Sequence, residues 1–354
     1  MKIIIYGATE IGCLLATEFF EDHDITIIDK EENRTDEFNK LDISFVQGNA
    51  SNIEVLKNAD IFIACTSVDE ANIVACLSAK KFGGVRTICF VSREEYKKTL
   101  NFEKNSENFC DFFIDYIIWP EELLTQEIFR IVTVSHSLYV ENFADGRARL
   151  LEYKVQPYLP IVGKKVKDCG FTQNTLMVGL TRNSELFIPN GDTEIQDGDK
   201  LIFMGTSHSL DILAGTFFHE KEIVKSVAII GGGNVGMMLA KTLEKLKVKI
   251  KIIEKDYDRC QVLAEELSNT LVINGDGTNL KLLDEEEIGG ADVVISVTNN
   301  DERNLLCSLL AKQLGVKRVI TRVAKVLNIP LFEKVGIDIA VSPKNSAINE
   351  VRND

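Results

Sequence analysis

Proline is scarce in this 354-residue sequence, at 6 residues, and tryptophan occurs once. So few prolines exclude a collagen-like or proline-rich extended chain, and 45% apolar with 27% charged residues excludes a disordered one. At roughly 150 residues per domain the length suits two or three domains, each able to bury a core. Long apolar runs are also missing: none reaches the ~18 residues that a bilayer-spanning helix needs. The opening run Lys2-Ile3-Ile4-Ile5-Tyr6 starts where a secretory signal would carry a charged region and a long apolar stretch, so a cytoplasmic location is expected. Positive charge is in deficit, 40 Lys+Arg against 54 Asp+Glu for a net charge of -14. A field of that sign opposes nucleic acid phosphates and anionic lipid, so neither is an expected partner.

Paired metal ligands are lacking as well. The eight cysteines, at 13, 65, 76, 89, 110, 169, 260 and 307, contain no C-x-x-C, and most lie in apolar runs such as Phe62-Ile63-Ala64-Cys65. That is the usage of reduced, buried thiols. The four histidines, 23, 136, 208 and 219, do not stand with cysteine at ligand spacing, so no metal is expected. There is no G-x-x-x-x-G-K-[ST] loop, which leaves P-loop nucleotide hydrolysis unsupported. His136 and His208 join no carboxylate or arginine constellation of the kind a dehydrogenase uses, so the expectation is a protein that is not an enzyme. An NAD-dependent dehydrogenase is the rival reading.

What is present is a repeat. Residues 1 to about 125 recur from about Ser226 onward: Gly7 and Gly12 match Gly231 and Gly236 at an offset of 224, and Asp29 matches Glu254 at 225. Thr66, Asp69, Glu70 and Asn72 match Thr298, Asp301, Glu302 and Asn304 at 232. Each copy alternates apolar runs with helical patterns, as in Val227 to Ile230, a helix carrying Val235, Leu239, Leu243 and Leu246, then Ile250 to Ile253. Runs at Val293 to Val297 and Arg318 to Thr321 flank a helical pattern from Glu302 to Leu314. The order predicts α/β architecture: two Rossmann-like parallel-sheet domains, 1–130 and 221–354. They flank a small, mostly β (α+β) domain at 131–220 with one short helix, where Leu150 to Val155 and Leu201 to Met204 read as strands separated by Asn190-Gly191-Asp192 and Asp197-Gly198-Asp199 turns. His219-Glu220-Lys221-Glu222 reads as a linker.

The second copy holds a complete G-x-G-x-x-G, Gly231-Gly232-Gly233-Asn234-Val235-Gly236, between a predicted strand and helix. Gly231 makes the turn, Gly233 admits a pyrophosphate to the backbone, Gly236 lets helix and strand pack closely, and the helix start offers free N–H groups. Glu254, 23 residues after Gly231, is placed to accept from ribose hydroxyls. These residues point to an adenine nucleotide; a packing turn without ligand is the bland alternative. In the first copy Gly7-Ala8-Thr9-Glu10-Ile11-Gly12 puts Thr9 where phosphate must approach, while Asp29 still ends the next strand. Nucleotide binding and a structural relic are both open there. Asn274-Gly275-Asp276-Gly277-Thr278 and Thr298 to Asn304 recur at the carboxyl edge of the sheet, where Asp301 could also serve as a helix cap. The alternation Lys245, Lys247, Lys249, Lys251 reads as a solvated face.

This arrangement resembles the RCK (KTN) domain family, and within it the TrkA-type cytosolic regulatory subunits of Trk potassium uptake systems. Gly275-Asp276-Gly277-Thr278 is similar to the family's G-D-[AG]-T, and Ala291-Asp292 followed by Thr298 to Asn304 to its A-D…T-x-x-D-E-x-N. Ile114 to Glu121 resembles the segment leading into its crossover helix. Pro160-Ile161-Val162-Gly163-Lys164 and Pro189 to Asp199 resemble its C-lobe. The resemblance implies two N-lobes around one C-lobe, a ligand that is NAD(H) or ATP/ADP, a homo-oligomer, and a Trk-type potassium transporter membrane subunit as partner. By it the protein sits at the inner face of the membrane through that partner. Implied nucleotide contacts are Gly231, Gly233, Asn234, Val235, Gly236, Glu254, Asp276, Thr298 and Arg322, with Gly7, Thr9, Glu10, Ile11, Gly12, Asp29 and Thr66 in the first copy. Asn49 stands where the family has Asp and Phe90 matches Arg322, departures that favour the second site. Pro120 to Phe217 spans 97 residues whereas 11 follow Pro343, so a second C-lobe is expected to be absent from this sequence.

Overall fold

Three sheets organise the computed structural model, which describes residues 1–30, 41–50, 59–103, 114–133, 137–143, 148–183, 185–217 and 224–353. The first runs parallel in the order β3-β2-β1-β4-β5-β6, from β1 (Lys2–Tyr6), β2 (Asp24–Asp29), β3 (Ser44–Gln47), β4 (Ile61–Ala64), β5 (Arg86–Phe90) and β6 (Tyr116–Ile118). Ile3, Ile4 and Ile5 are all buried, as expected of a strand covered on both faces. Helices α1 (Glu10–Phe19), α2 (Asp69–Gly83) and α3 (Glu94–Glu103) follow β1, β4 and β5, and α4 (Pro120–Thr133) follows β6.

The second sheet is antiparallel, β10-β9-β11-β8-β7, built from β7 (Ser137–Phe143), β8 (Ala148–Lys154), β9 (Thr175–Arg182), β10 (Glu185–Phe187) and β11 (Lys200–Gly205). Helix α5 (Ser207–Phe217) closes its core, in which Leu151, Tyr153, Leu180, Leu201 and Phe203 are buried with Leu210 and Leu213. Asp199 in the second turn is nearly inaccessible and takes a two-pronged bond from Arg182, Nε at 2.8 Å and Nη2 at 2.7 Å.

The third sheet repeats the first, β14-β13-β12-β15-β16-β17, with β12 (Ser226–Ile230), β13 (Lys249–Glu254), β14 (Thr270–Asn274), β15 (Val293–Ser296), β16 (Arg318–Arg322) and β17 (Ile339–Val341). Its helices are α6 (Asn234–Leu243), α7 (Tyr257–Glu266), α8 (Leu280–Glu285), α9 (Asp301–Gln313) and α10 (Ile329–Lys334). In both parallel sheets the order reverses beside the first strand, which is where open α/β sheets bind ligands. The chain ends in α11 (Pro343–Asn353).

The α/β class and the three-sheet plan match the reading from sequence. The chain forms two compact units, Met1–Leu124 with Pro343–Asp354, and Thr125–Ser342. Within the first, Ala347 and Ile348 of α11 enter the core with Ile5, Leu15 and Ile27; Lys344 pairs with Glu10, and Arg352 Nη1 lies 3.4 Å from Glu18. Within the second, Arg318 Nη2 donates to the Ile131 carbonyl at the end of α4, at 2.7 Å.

Some local expectations differ. Helix α6 stops at Leu243, leaving Leu246 40% exposed and off the buried face that Val235, Leu239 and Leu243 form. The lysine alternation is not uniformly solvated, because Lys251 Nζ donates to the Glu286 carbonyl at 2.5 Å. Ser51, Cys110, His136 and the stretch His219 to Glu222 lie outside the described residues.

Candidate functional site

At the carboxyl edge of the third sheet the loops after β12, β13, β14 and β15 surround a cleft of about 220 Å³, lined among others by Gly231, Gly233, Glu254, Asp276, Thr298 and Arg303. Pairing of Ile230 with Ile253 and with Ser296 sets the first, second and fourth of these loops side by side. Gly231 has φ +110°, and a Cβ there would lie 3.0 Å from the Thr298 nitrogen. A Cβ on Gly236 would lie 1.9 Å from the Gly231 carbonyl oxygen, so both outer glycines are required by packing. Gly233 differs: nothing lies within 4 Å of the position its Cβ would take, and it caps α6 without a side chain. The start of α6 therefore presents backbone N–H groups to the cleft.

Glu254 is tied to backbone on both oxygens. Its Oε2 accepts from Gly232 N at 2.6 Å and its Oε1 from Asp256 N at 2.8 Å. A carboxylate has about four acceptor positions, so capacity is left for a ribose hydroxyl. Asp276 accepts from Lys255 Nζ at 2.8 Å and from the Thr278 N–H and hydroxyl, and these donors hold its carboxyl well below the usual range. Cys307 at the cleft wall has its thiol pushed up to about 12 by burial. Lys255, Asn299 and Arg303 also line the cleft and are not among the implied nucleotide contacts, although the stretch Thr298 to Asn304 is expected at this edge. Adjacency was the available signal, since Lys255 directly follows Glu254, and Asn299 and Arg303 fall inside the recurring motif.

The residues expected from sequence divide clearly. Gly231, Gly233, Glu254, Asp276 and Thr298 line the cleft; Val235 and Gly236 are buried beneath the loop, and Asn234 is exposed at the first turn of α6. Arg322 is not part of the lining; its Nη1 donates to Asn299 Oδ1 at 2.7 Å. Asp301 does not cap α9: Asn300 does, accepting from Arg303 N at 2.7 Å, while Asp301 accepts from Ala324 N and Lys325 N. Asn304 is fully buried, accepts from Thr298 N and Oγ1, and donates to the Thr298 and Arg322 carbonyls. The recurring motif is thus a fastener between neighbouring strand ends.

In the first copy Gly7 has φ +120°, and Gly12 packs against the Gly7 carbonyl as in the second copy. Asp29 Oδ2 accepts from Ala8 N at 2.6 Å, the counterpart of Glu254 on Gly232. Thr9 changes the helix start. Its hydroxyl accepts from Gly12 N at 3.2 Å and donates to the Cys65 carbonyl at 2.9 Å, satisfying a helix N–H that a phosphate would otherwise take. Glu10 pairs with Lys344, Ile11 packs on the core, and Thr66 is bonded to Asn72. The phenol of Tyr6 donates to Asn49 at 3.3 Å. Among the described residues no group of three or more His, Cys, Asp or Glu is placed to hold a metal ion.

A TrkA-N domain model matches residues 3–110 and again 227–343, and a TrkA-C domain model matches 150–214. Trk system potassium uptake protein trkA homolog 1 of Methanosarcina mazei is 39% identical over 363 residues, covering 99% of this chain and 88% of that relative. Among solved structures the GsuK RCK domain superposes with a TM-score of 0.69 at 20% identity, covering 99% of this chain and 76% of that one. The GsuK channel bound to NAD gives 0.70 at 20% identity, with 99% of this chain but 63% of the channel chain covered, so this chain spans less than two thirds of that protein. With both domain models matched in order over most of its length and a 39% identical relative along nearly all of it, the chain belongs to the TrkA family.

Proposed function

We propose that this protein is a nucleotide-sensing regulatory subunit that gates a potassium-translocating membrane protein of the Trk type. NAD(H) or ATP/ADP would bind the cleft at Gly231–Gly236 and bias the arrangement of lobes within a homo-oligomer. The observation that carries the reading is the open start of α6, where no side chain caps the helix N–H groups and nothing lies within 4 Å of the position a Gly233 Cβ would take, beside Glu254 and Asp276. A phosphate on those N–H groups and a ribose on the carboxylate use one cleft in the way the fold favours. The chain's family supports the potassium-uptake setting, and a nucleotide-bound RCK channel supports the ligand class. For gating, the ligand must bind one lobe arrangement better than another, and a coupling of about 1–3 kcal/mol is the usual scale.

Calorimetry of the purified protein with NAD⁺, NADH, ATP and ADP tests this. Saturable binding of at least one of them, lost in Gly233→Val, is the expected result; no binding to any of the four would overturn it. Incubation with NAD⁺ and a panel of hydroxy and amino acids tests the regulatory reading separately, since substrate-dependent growth of NADH absorbance would identify an enzyme instead.

A further inference from the structure

We infer that Arg259 is a positioning residue which, with Glu254, locks the glycine loop into the one orientation that presents the Gly233 N–H to a phosphate. Arg259 does not line the cleft. It sits in the first turn of α7 with its Nε 2.6 Å from the Gly232 carbonyl oxygen and its Nη2 3.8 Å from the sulfur of Met237. The Gly232 N–H is held from the other side by Glu254 Oε2, also at 2.6 Å. One residue of the loop therefore has its donor and its acceptor bound to ionic side chains of opposite sign, and charge-assisted bonds of this kind are about twice as strong as neutral ones.

The consequence follows from peptide geometry. In a trans peptide the carbonyl and the next N–H point in opposite directions across a rigid plane. Fixing the Gly232 carbonyl on Arg259 fixes the Gly233 N–H away from Arg259; fixing the Gly232 N–H on Glu254 turns the Gly231 carbonyl away from Glu254. Both planes on either side of Gly232 are thereby set before any ligand arrives. Glycine needs this restraint more than other residues, because without a Cβ its peptide planes rotate over a wide range. A Cβ on Gly232 would lie 2.4 Å from Leu263 Cδ1, so a stiffer residue there requires the Leu263 side chain to shift. In the sequence Arg34 stands five residues after Asp29, as Arg259 stands five after Glu254, and Arg34 lies outside the described residues.

This inference rests on the nucleotide reading for its ligand but not for its clamp, and the experiment separates the two. Hydrogen exchange of residues 230–236 is measured on the full ligand-free chain for wild type, Arg259→Met and Arg259→Lys, together with ADP affinity by calorimetry and the melting temperature. For Arg259→Met, exchange of the loop is expected to rise and ADP affinity to fall about tenfold, the loss of one charge-assisted bond. The melting temperature is expected to stay within a few degrees. Arg259→Lys, which keeps a charged donor, should recover most of both. Unchanged loop exchange in Arg259→Met would overturn the clamp whatever ADP does, as would a methionine variant that loses affinity only because the whole fold melts earlier. If wild type binds no nucleotide while Arg259→Met still frees the loop, the clamp stands and the nucleotide reading fails.

Discussion

A side chain on Gly233 would extend into open space, whereas one on Gly236 would sit 1.9 Å from a carbonyl oxygen of the same loop. Gly233→Val should therefore fold normally and lose nucleotide binding, because its methyls occupy the place of a phosphate. Gly236→Ala should cost about 1–3 kcal/mol of stability through overpacking. Denaturant unfolding beside calorimetry distinguishes the two, and a Gly233→Val variant that binds as wild type would place the ligand elsewhere. Glu254 argues for a second outcome. Its charge repels a ribose 2′-phosphate, and the neighbouring Lys255 is engaged by Asp276, so NADP(H) should bind at least about tenfold, or ~1.4 kcal/mol, more weakly than NAD(H). Equal affinities would refute that placement. The pH response follows from the same residues. Asp276 is held low by Lys255 and Thr278, so its charge is lost only as pH falls below the ordinary carboxylate value of about 4. The Cys307 thiol stays neutral up to about 12, and no histidine lines the cleft. NAD⁺ affinity should accordingly change by less than about twofold between pH 6 and 8, and a titration step in that window would point to a group outside this set.

At the scale of elements, the Asn and Asp of the motif shared by the two copies join strand ends, while its Thr298, Asn299 and Arg303 line the cleft. Asn304 links the end of β15 to the end of β16 through four hydrogen bonds, and Asn72 does the same for β4 and β5 through Thr66 and the Phe90 carbonyl. Asp69 accepts from Ser92 and Arg93 N as Asp301 does from Ala324 and Lys325. Asn304→Ala and Asn72→Ala should each cost about 2–3 kcal/mol, since buried backbone groups are left unpaired. Denaturant unfolding of each variant checks this, and a neutral Asn304→Ala would show that water replaces the amide. The spacing of this motif was readable in sequence; its direction was not. Asparagine and aspartate at a sheet edge offer the same donors and acceptors to a backbone as to a nucleotide, and only the positions of Thr298, Ala324 and Arg322 decide between them.

At the scale of the whole molecule, a net charge of -14 governs what surfaces the protein approaches. No helix among the described residues is long and apolar enough to cross a membrane. Anionic lipid attracts polybasic segments and repels a chain of this charge on average. Sedimentation with bare anionic liposomes at physiological salt should leave the protein in the supernatant, and liposomes carrying the potassium-translocating subunit should capture it. Strong binding to bare lipid would overturn docking through protein contacts.

The repeat, the α/β class and the two glycine loops were determined by sequence alone, because apolar periodicity and the spacing of glycines are local properties that the chain carries in any conformation. Tertiary structure decided which glycine faces open space, that Arg322 turns to Asn299, and that α11, following the last strand of the second parallel sheet, buries Ala347 and Ile348 in the first core. It also decided that Arg259 reaches the Gly232 carbonyl. Each of these depends on which groups distant in sequence come within about 3 Å of one another, and no local pattern holds that information.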